Sequence, residues 1–202
     1  MIPFVTLDAV AAPLDIANCN TDQILPARFL KKPRAGGYGQ FLFHDLRFAA
    51  DGMPRPGFVL DQPGYAGAAI LVADNNFGCG SSREGAVYAL LDAGIRAVVA
   101  PGFGDIFFNN CFKNGVLPIV LPADAVARTR RLLTGTPGAT MFVDLPNQQV
   151  IGPDGTPFAF AVDALRKQCL IEGLDDIRLT LKHEAAIMAF ETARDAELPW
   201  LR

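Results

Sequence analysis

The sequence contains no C-x-x-C pair: Cys19, Cys79, Cys111 and Cys169 lie far apart in the chain. That spacing excludes a disulfide framework and argues against a self-contained zinc or iron–sulfur site. Histidine is scarce too, with only His44 and His183. Cys79 therefore has no nearby imidazole in the sequence to activate it and reads as a packed or conformational residue. Positive charge is not in excess, since 18 Lys and Arg against 21 Asp and Glu leave a formal net charge of −3. Nucleic-acid binding would leave a basic footprint, so that class is excluded. No apolar stretch approaches the roughly 20 residues that span a bilayer, and the first residues lack the basic and apolar regions of a signal peptide. Neither internal repeats nor low-complexity segments occur. The chain reads as a cytoplasmic protein without membrane segments. Apolar residues make up half of the 202 positions, enough to bury a full core in one domain.

The stretch around which the chain is organised is Asp74-Asn75-Asn76-Phe77-Gly78-Cys79-Gly80-Ser81-Ser82-Arg83-Glu84. The apolar run 68–73 before it reads as a buried strand. After it Ala86, Val87, Leu90 and Leu91 recur at helical spacing, so a glycine-rich loop joins a strand to a helix over about 82–93. Gly78 and Gly80 permit positive φ and the close approach of a ligand. Ser81 followed by Glu84 matches a capping box, which places the helix start near Ser81. Amides at such a helix start, together with the guanidinium fork of Arg83, suit a carboxylate ligand. Three sharper motifs fail on inspection. A dinucleotide fingerprint needs glycine where Arg83 stands. A P-loop needs Gly-Lys-Ser/Thr, and a hydrolase elbow at Ser82 needs glycine at Glu84. On spacing alone, an ordinary capped strand–turn–helix connection remains open.

Elsewhere, strands at 95–100 and 116–121 alternate with a helix at 105–113, which argues for a parallel, three-layer α/β arrangement with ligands at the carboxyl ends of the strands. The segment 28–39 carries Arg28, Lys31, Lys32 and Arg34 among Pro33 and three glycines, and reads as a flexible basic loop able to act as a lid. Asp22 reads as a cap for the segment after it. A capped helix at 122–134, a hairpin at 141–151, a strand at 158–160 and helices at 162–172 and 175–194 complete the chain. Leu179, Leu181, Ala186, Met188, Ala189 and Phe190 are expected in the core.

Phe77-Gly78-Cys79-Gly80-Ser81-Ser82-Arg83-Glu84 resembles the signature of the aconitase superfamily's swivelling domain. Asn20-Thr21-Asp22-Gln23-Ile24-Leu25-Pro26, the block 41–48, Ala100-Pro101-Gly102-Phe103-Gly104-Asp105 and the tail 173–181 extend that resemblance, in order, to the small subunits of 3-isopropylmalate dehydratase. The resemblance implies a three-layer swivelling β/β/α domain with a central, mainly parallel sheet, spanning 1–202. It implies a hydro-lyase of leucine biosynthesis active only with a large subunit, in a heterodimer or higher heteromer, on a small dicarboxylate. Ser81 is then the catalytic base, with Asp22 in the catalytic network. Ser82, Arg83 and Arg34 are then substrate-binding residues. This chain is implied to bind no cofactor itself, a four-iron, four-sulfur cluster being carried by the large subunit. The signature usually continues with histidine where this chain has Gly85. A glycine in the second helical turn costs about 0.5–1 kcal/mol against alanine, and it leaves open a dehydratase for methylmalate, homocitrate or citrate, or a non-catalytic partner subunit.

Overall fold

The computed structural model describes residues 1–201. Strand β1 (Thr6–Leu14) is the joint of a seven-stranded sheet of order β4-β3-β2-β1-β5-β6-β7. Its second half, Ala11 to Leu14, pairs in parallel with β2 (Ile70–Ala73). Beyond β2 follow β3 (Ala97–Ala100) and β4 (Leu117–Val120), also parallel. Its first half, Thr6 to Val10, pairs antiparallel with β5 (Thr140–Asp144), which continues into β6 (Gln149–Ile151) and β7 (Pro157–Ala159). The expected mainly parallel sheet is thus parallel from β1 to β4 and antiparallel beyond β1.

All four residues of β2 and of β3 are buried, as continuous apolar runs must be when helices cover both faces of a parallel sheet. Alternation divides them between two cores. Leu71, Ala73, Val98 and Ala100 pack with Val87 and Leu90 of α3 (Gly85–Asp92) and with Phe107 of α4 (Asp105–Asn114). Ile70, Val72, Ala97 and Val99 pack with Val126 and Leu133 of α5 (Ala123–Gly135) and Leu170 of α6 (Ala164–Glu172). Helix α5 starts after Pro122 with no capping side chain, contrary to the expected cap.

The expected helix at 175–194 is two helices, α7 (Asp176–Leu181) and α8 (Glu184–Glu197). The turn tightens between them, where the Lys182 and His183 amides donate to Leu179 and Thr180, three residues back. Its apolar residues do not join the core. Leu181, Met188 and Phe190 are more than half exposed, and Leu179 is half-buried. The reason is topological: α5 and α6 already cover that face of the sheet, and Gly173, at φ +69°, ends α6 and leads the chain away.

The basic loop folds as three short 3₁₀ turns, Ala27–Lys31, Arg34–Gly36 and Gly39–Phe41. Tyr38 is buried beneath it; its amide donates to Asp92 Oδ2 at 2.7 Å and its hydroxyl to the Lys32 carbonyl at 3.0 Å. Arg28 pairs with Asp45 on α2 (His44–Arg47) and holds that carboxyl down to about 2 by hydrogen bonding. The folded pKa lies below the unfolded one, so the pair stabilises the fold above pH ~4 and the contribution disappears as pH falls toward 2. Both side chains are about half exposed, which limits the contribution to about 0–1 kcal/mol. Arg28→Met is therefore expected to lower the urea midpoint slightly at pH 7 and by less at pH 2.5, as read from paired denaturation curves.

Candidate active site

Three loops leave the carboxyl ends of the parallel strands and are stitched together through their backbones. Asn18 donates to the Asn75 carbonyl at 2.9 Å, Gly78 to that of Cys19 at 2.7 Å and Thr21 to that of Cys79 at 2.9 Å. On the far side Phe77 donates to Gly102 at 3.0 Å, and Gly104 to Phe77 at 2.9 Å. Gly78 and Gly80 take φ of +73° and +97°, the turn that brings Ser81 back over the start of α1 (Thr21–Ile24). Cys19 is buried and its thiol is pushed up to about 12 by that burial and by Cys79. Cys79 Sγ donates to the Asn18 carbonyl at 3.4 Å, in keeping with a conformational role.

Ser81 does not cap a helix. Helix α3 begins at Gly85, after Glu84, with no side-chain cap. The serine is engaged elsewhere: its Oγ lies 2.9 Å from Thr21 Oγ1, which also accepts the Ser81 amide at 3.3 Å. Nor does Asp22 cap α1. Asn20 does so, accepting from the Gln23 amide at 2.8 Å, while Gln23 Oε1 accepts from the Asn20 amide at 2.9 Å. That reciprocal box leaves Asp22 in the first turn, where its carboxylate accepts from Arg83 Nη1. The Ser82 and Arg83 amides find no acceptor among the described residues, and Ser82 is exposed. Two free amides, a hydroxyl and a guanidinium with one edge unused thus lie on adjacent residues of one loop. Glu84 turns away to accept from Asn114 Nδ2 at 2.7 Å.

The structure brings together Ser81, Ser82, Arg83 and Asp22. It does not bring Arg34 to them. The Arg34 guanidinium stacks on Tyr88 at 3.5 Å from the ring centre and reaches Asp92 at 3.4 Å, along α3 toward its far end. Gly85 is the first residue of α3, not part of a second turn, and is buried. A Cβ there would stand 2.6 Å from Leu30 Cδ2 and 3.0 Å from Leu25 Cδ2, so the two leucines occupy the space a larger residue would need. Thr21 is the residue that sequence reading misses. It sits in the quoted Asn20-Thr21-Asp22 block, but only the crossing of two loops 60 positions apart sets its hydroxyl against Ser81.

Comparison with known proteins identifies the family of the chain. A family model described as the aconitase C-terminal domain matches residues 1–124. A second, LeuD_N, matches 131–164. A third, described as the C-terminal domain of the 3-isopropylmalate dehydratase small subunit, matches 176–202. The 3-isopropylmalate dehydratase small subunit of Xanthobacter autotrophicus is 51% identical over 201 residues, with all of both chains covered. That of Paramagnetospirillum magneticum is 52% identical over the same length and coverage. A solved 3-isopropylmalate dehydratase structure from Methanocaldococcus jannaschii superposes with a TM-score of 0.64 at 22% identity, over 92% of this chain and 99% of that one, and so shows the fold. On residues matched end to end at half identity or better, the chain belongs to the 3-isopropylmalate dehydratase small-subunit family, within the aconitase-type fold.

Proposed function

We propose that this chain is the small subunit of a hydro-lyase that interconverts 2-isopropylmalate and 3-isopropylmalate by dehydration and rehydration, in leucine biosynthesis, together with a large subunit. One observation carries the reading at the level of chemistry: Ser81 Oγ meets Thr21 Oγ1 at 2.9 Å beside the Arg83–Asp22 pair. Removing a proton next to a carboxylate needs a base and cations that hold the acid. Ser81 Oγ takes that proton. A serine does so only where its anion is stabilised. Thr21 Oγ1 accepts the Ser81 amide and donates its one hydrogen either to Ser81 Oγ at 2.9 Å or, over a longer 3.4 Å, to the Ser81 carbonyl, and an anion at Ser81 Oγ draws it to the shorter contact. The Ser82 and Arg83 amides and the Ser82 hydroxyl bind one substrate carboxylate, and the unused edge of Arg83 clamps it. Asp22 fixes the guanidinium plane. Arg34 reaches the substrate once its loop leaves Tyr88 and Asp92.

Among the described residues no three His, Cys, Asp or Glu side chains gather where a metal could be held, and Cys19 and Cys111 are sealed in the core with raised thiol pKa values from burial. The donor set of this chain does not form a cradle for an iron–sulfur cluster, so the proposal assigns the four-iron, four-sulfur cluster to the large subunit. Bound there, it supplies the Lewis acid for the departing hydroxyl.

The test is anaerobic reconstitution with the cluster-bearing subunit of the same genome, following the absorbance of the unsaturated acid. Turnover of 3-isopropylmalate, with citrate, homocitrate and methylmalate inert, is the expected result; turnover of another acid instead refutes the substrate. In the same assay Arg83→Lys is expected to raise KM about 10–100-fold with a smaller change in kcat, because an ammonium cannot reproduce the fork. An unchanged KM removes Arg83 from the site.

A further inference from the structure

The packed body of the chain ends at α6, and the segment after it leaves a large apolar surface uncovered. Helix α7 leans on the body through an apolar groove lined by Phe112, Leu165, Leu174 and Leu179, with Lys113–Asp176 at 3.7 Å beside it. Helix α8 contains no buried residue. Ile177, Leu181, Met188, Phe190 and Trp200 are 73, 53, 60, 67 and 73% exposed. An apolar surface of that kind on an ordered helical arm is the signature of a protein–protein contact. The comparisons divide the chain at the same place. Within the body, residues 1–124 match a model named for a C-terminal domain and residues 131–164 match LeuD_N. The arm, 176–202, matches one named for the small subunit itself. The arm thus lies wholly within a region matched by a model named for the small subunit, and curated small subunits match this chain across their full length, arm included.

We infer that α7, α8 and the turn Pro199–Leu201 form a clasp that docks on an apolar surface of the large subunit. This rests on the proposed function and names the element that makes the heteromer. A domain split from its catalytic partner loses the high effective concentration that a covalent linker provides, and an arm of this length supplies the 20–30 residues of about one side of a stable interface. The apolar side chains sit on an arm outside the folded body, so the clasp holds the partner without constraining the loops that bear Ser81.

The test measures affinity of the full chain for the large subunit by sedimentation or interferometry. The comparison chains are one ending at Lys182, which removes only unburied structure, and full-length Phe190→Glu. Both are expected to keep the thermal midpoint of the isolated chain within a few degrees. Both should weaken association by about 30-fold or more, as losing an interfacial hot spot does, and recover most turnover when the large subunit is in large excess. Unchanged affinity in both variants overturns the clasp. So does a change confined to self-association, a dimer of this chain falling to monomer while large-subunit affinity stands. If the unaltered chain itself fails to bind the large subunit, the functional reading falls, and the clasp with it.

Discussion

Ser81→Ala, assembled with the large subunit, is expected to lose turnover by about 10²–10⁴-fold, the range that a positioned proton-transfer group supplies. Association of the two subunits should be intact, because the side chain removed is small and points into the loop crossing. Thr21→Val provides the graded comparison. It keeps the shape of a fully buried residue but removes the only side-chain hydroxyl that meets Ser81 Oγ among the described residues. Withdrawing a donor from an anion is worth about 1.5–3 kcal/mol and lowers the share of Ser81 present as the alkoxide base, so kcat should fall about 10–100-fold with KM little changed. Single-turnover rates on both variants decide the matter. A Ser81→Ala enzyme with ordinary kcat ends the assignment of Ser81 as base. A Thr21→Val enzyme that loses stability but not kcat reduces Thr21 to packing.

The second large effect concerns folding. Gly104→Ala places a Cβ 2.6 Å from the Gly78 carbonyl oxygen and 2.9 Å from Cys79 Cα. Both are backbone atoms of the loop that carries Ser81, so neither can rotate aside. The two loops must separate, and the reciprocal hydrogen bonds between Phe77 and Gly102–Gly104 stretch with them. Overpacking of this kind costs about 1–3 kcal/mol, and strain in the paired backbone adds to it. For a chain of this size that corresponds to a fall of roughly 5–10 °C in Tm, with turnover reduced further because Gly78 to Ser81 moves. Gly135→Ala is the control. It lies at the end of α5 with nothing within 4 Å of the added Cβ, and is expected to be neutral or slightly stabilising. Equal midpoints for the two alanine variants, by calorimetry, would show that the loop contact tolerates a methyl group.

The elements most legible in the sequence are those whose local pattern has only one use. The apolar runs read as strands at 68–73, 95–100 and 116–121 are found as parallel strands at 70–73, 97–100 and 117–120, and the order of strand, loop and helix between them places the connecting loops on one edge. The chemistry-bearing stretch from Gly78 to Arg83 stands out by residue type. The misreadings share one cause: polar side chains near a helix start look like caps for that helix. Ser81 with Glu84, and Asp22 by itself, have the spacing or type of caps. Once the loops cross, Ser81 finds Thr21, Asp22 finds Arg83 and Glu84 finds Asn114. Long-range partners outcompete the local ones because they satisfy the same groups inside a packed crossing. The apolar residues of the arm are misplaced for the complementary reason, since periodicity marks a face to be buried without saying which chain buries it.

What the sequence by itself determined is the alternation of strands and helices, the edge of the sheet that bears the candidate site and the residue types gathered there, since these follow from periodicity and from the few residues that permit positive φ. Tertiary structure alone decided that Ser81 answers to Thr21, that Arg34 lies along α3 away from Ser81, and that the last two helices stand outside the core. Each depends on which surfaces remain once the sheet has been covered, and no local pattern carries that information.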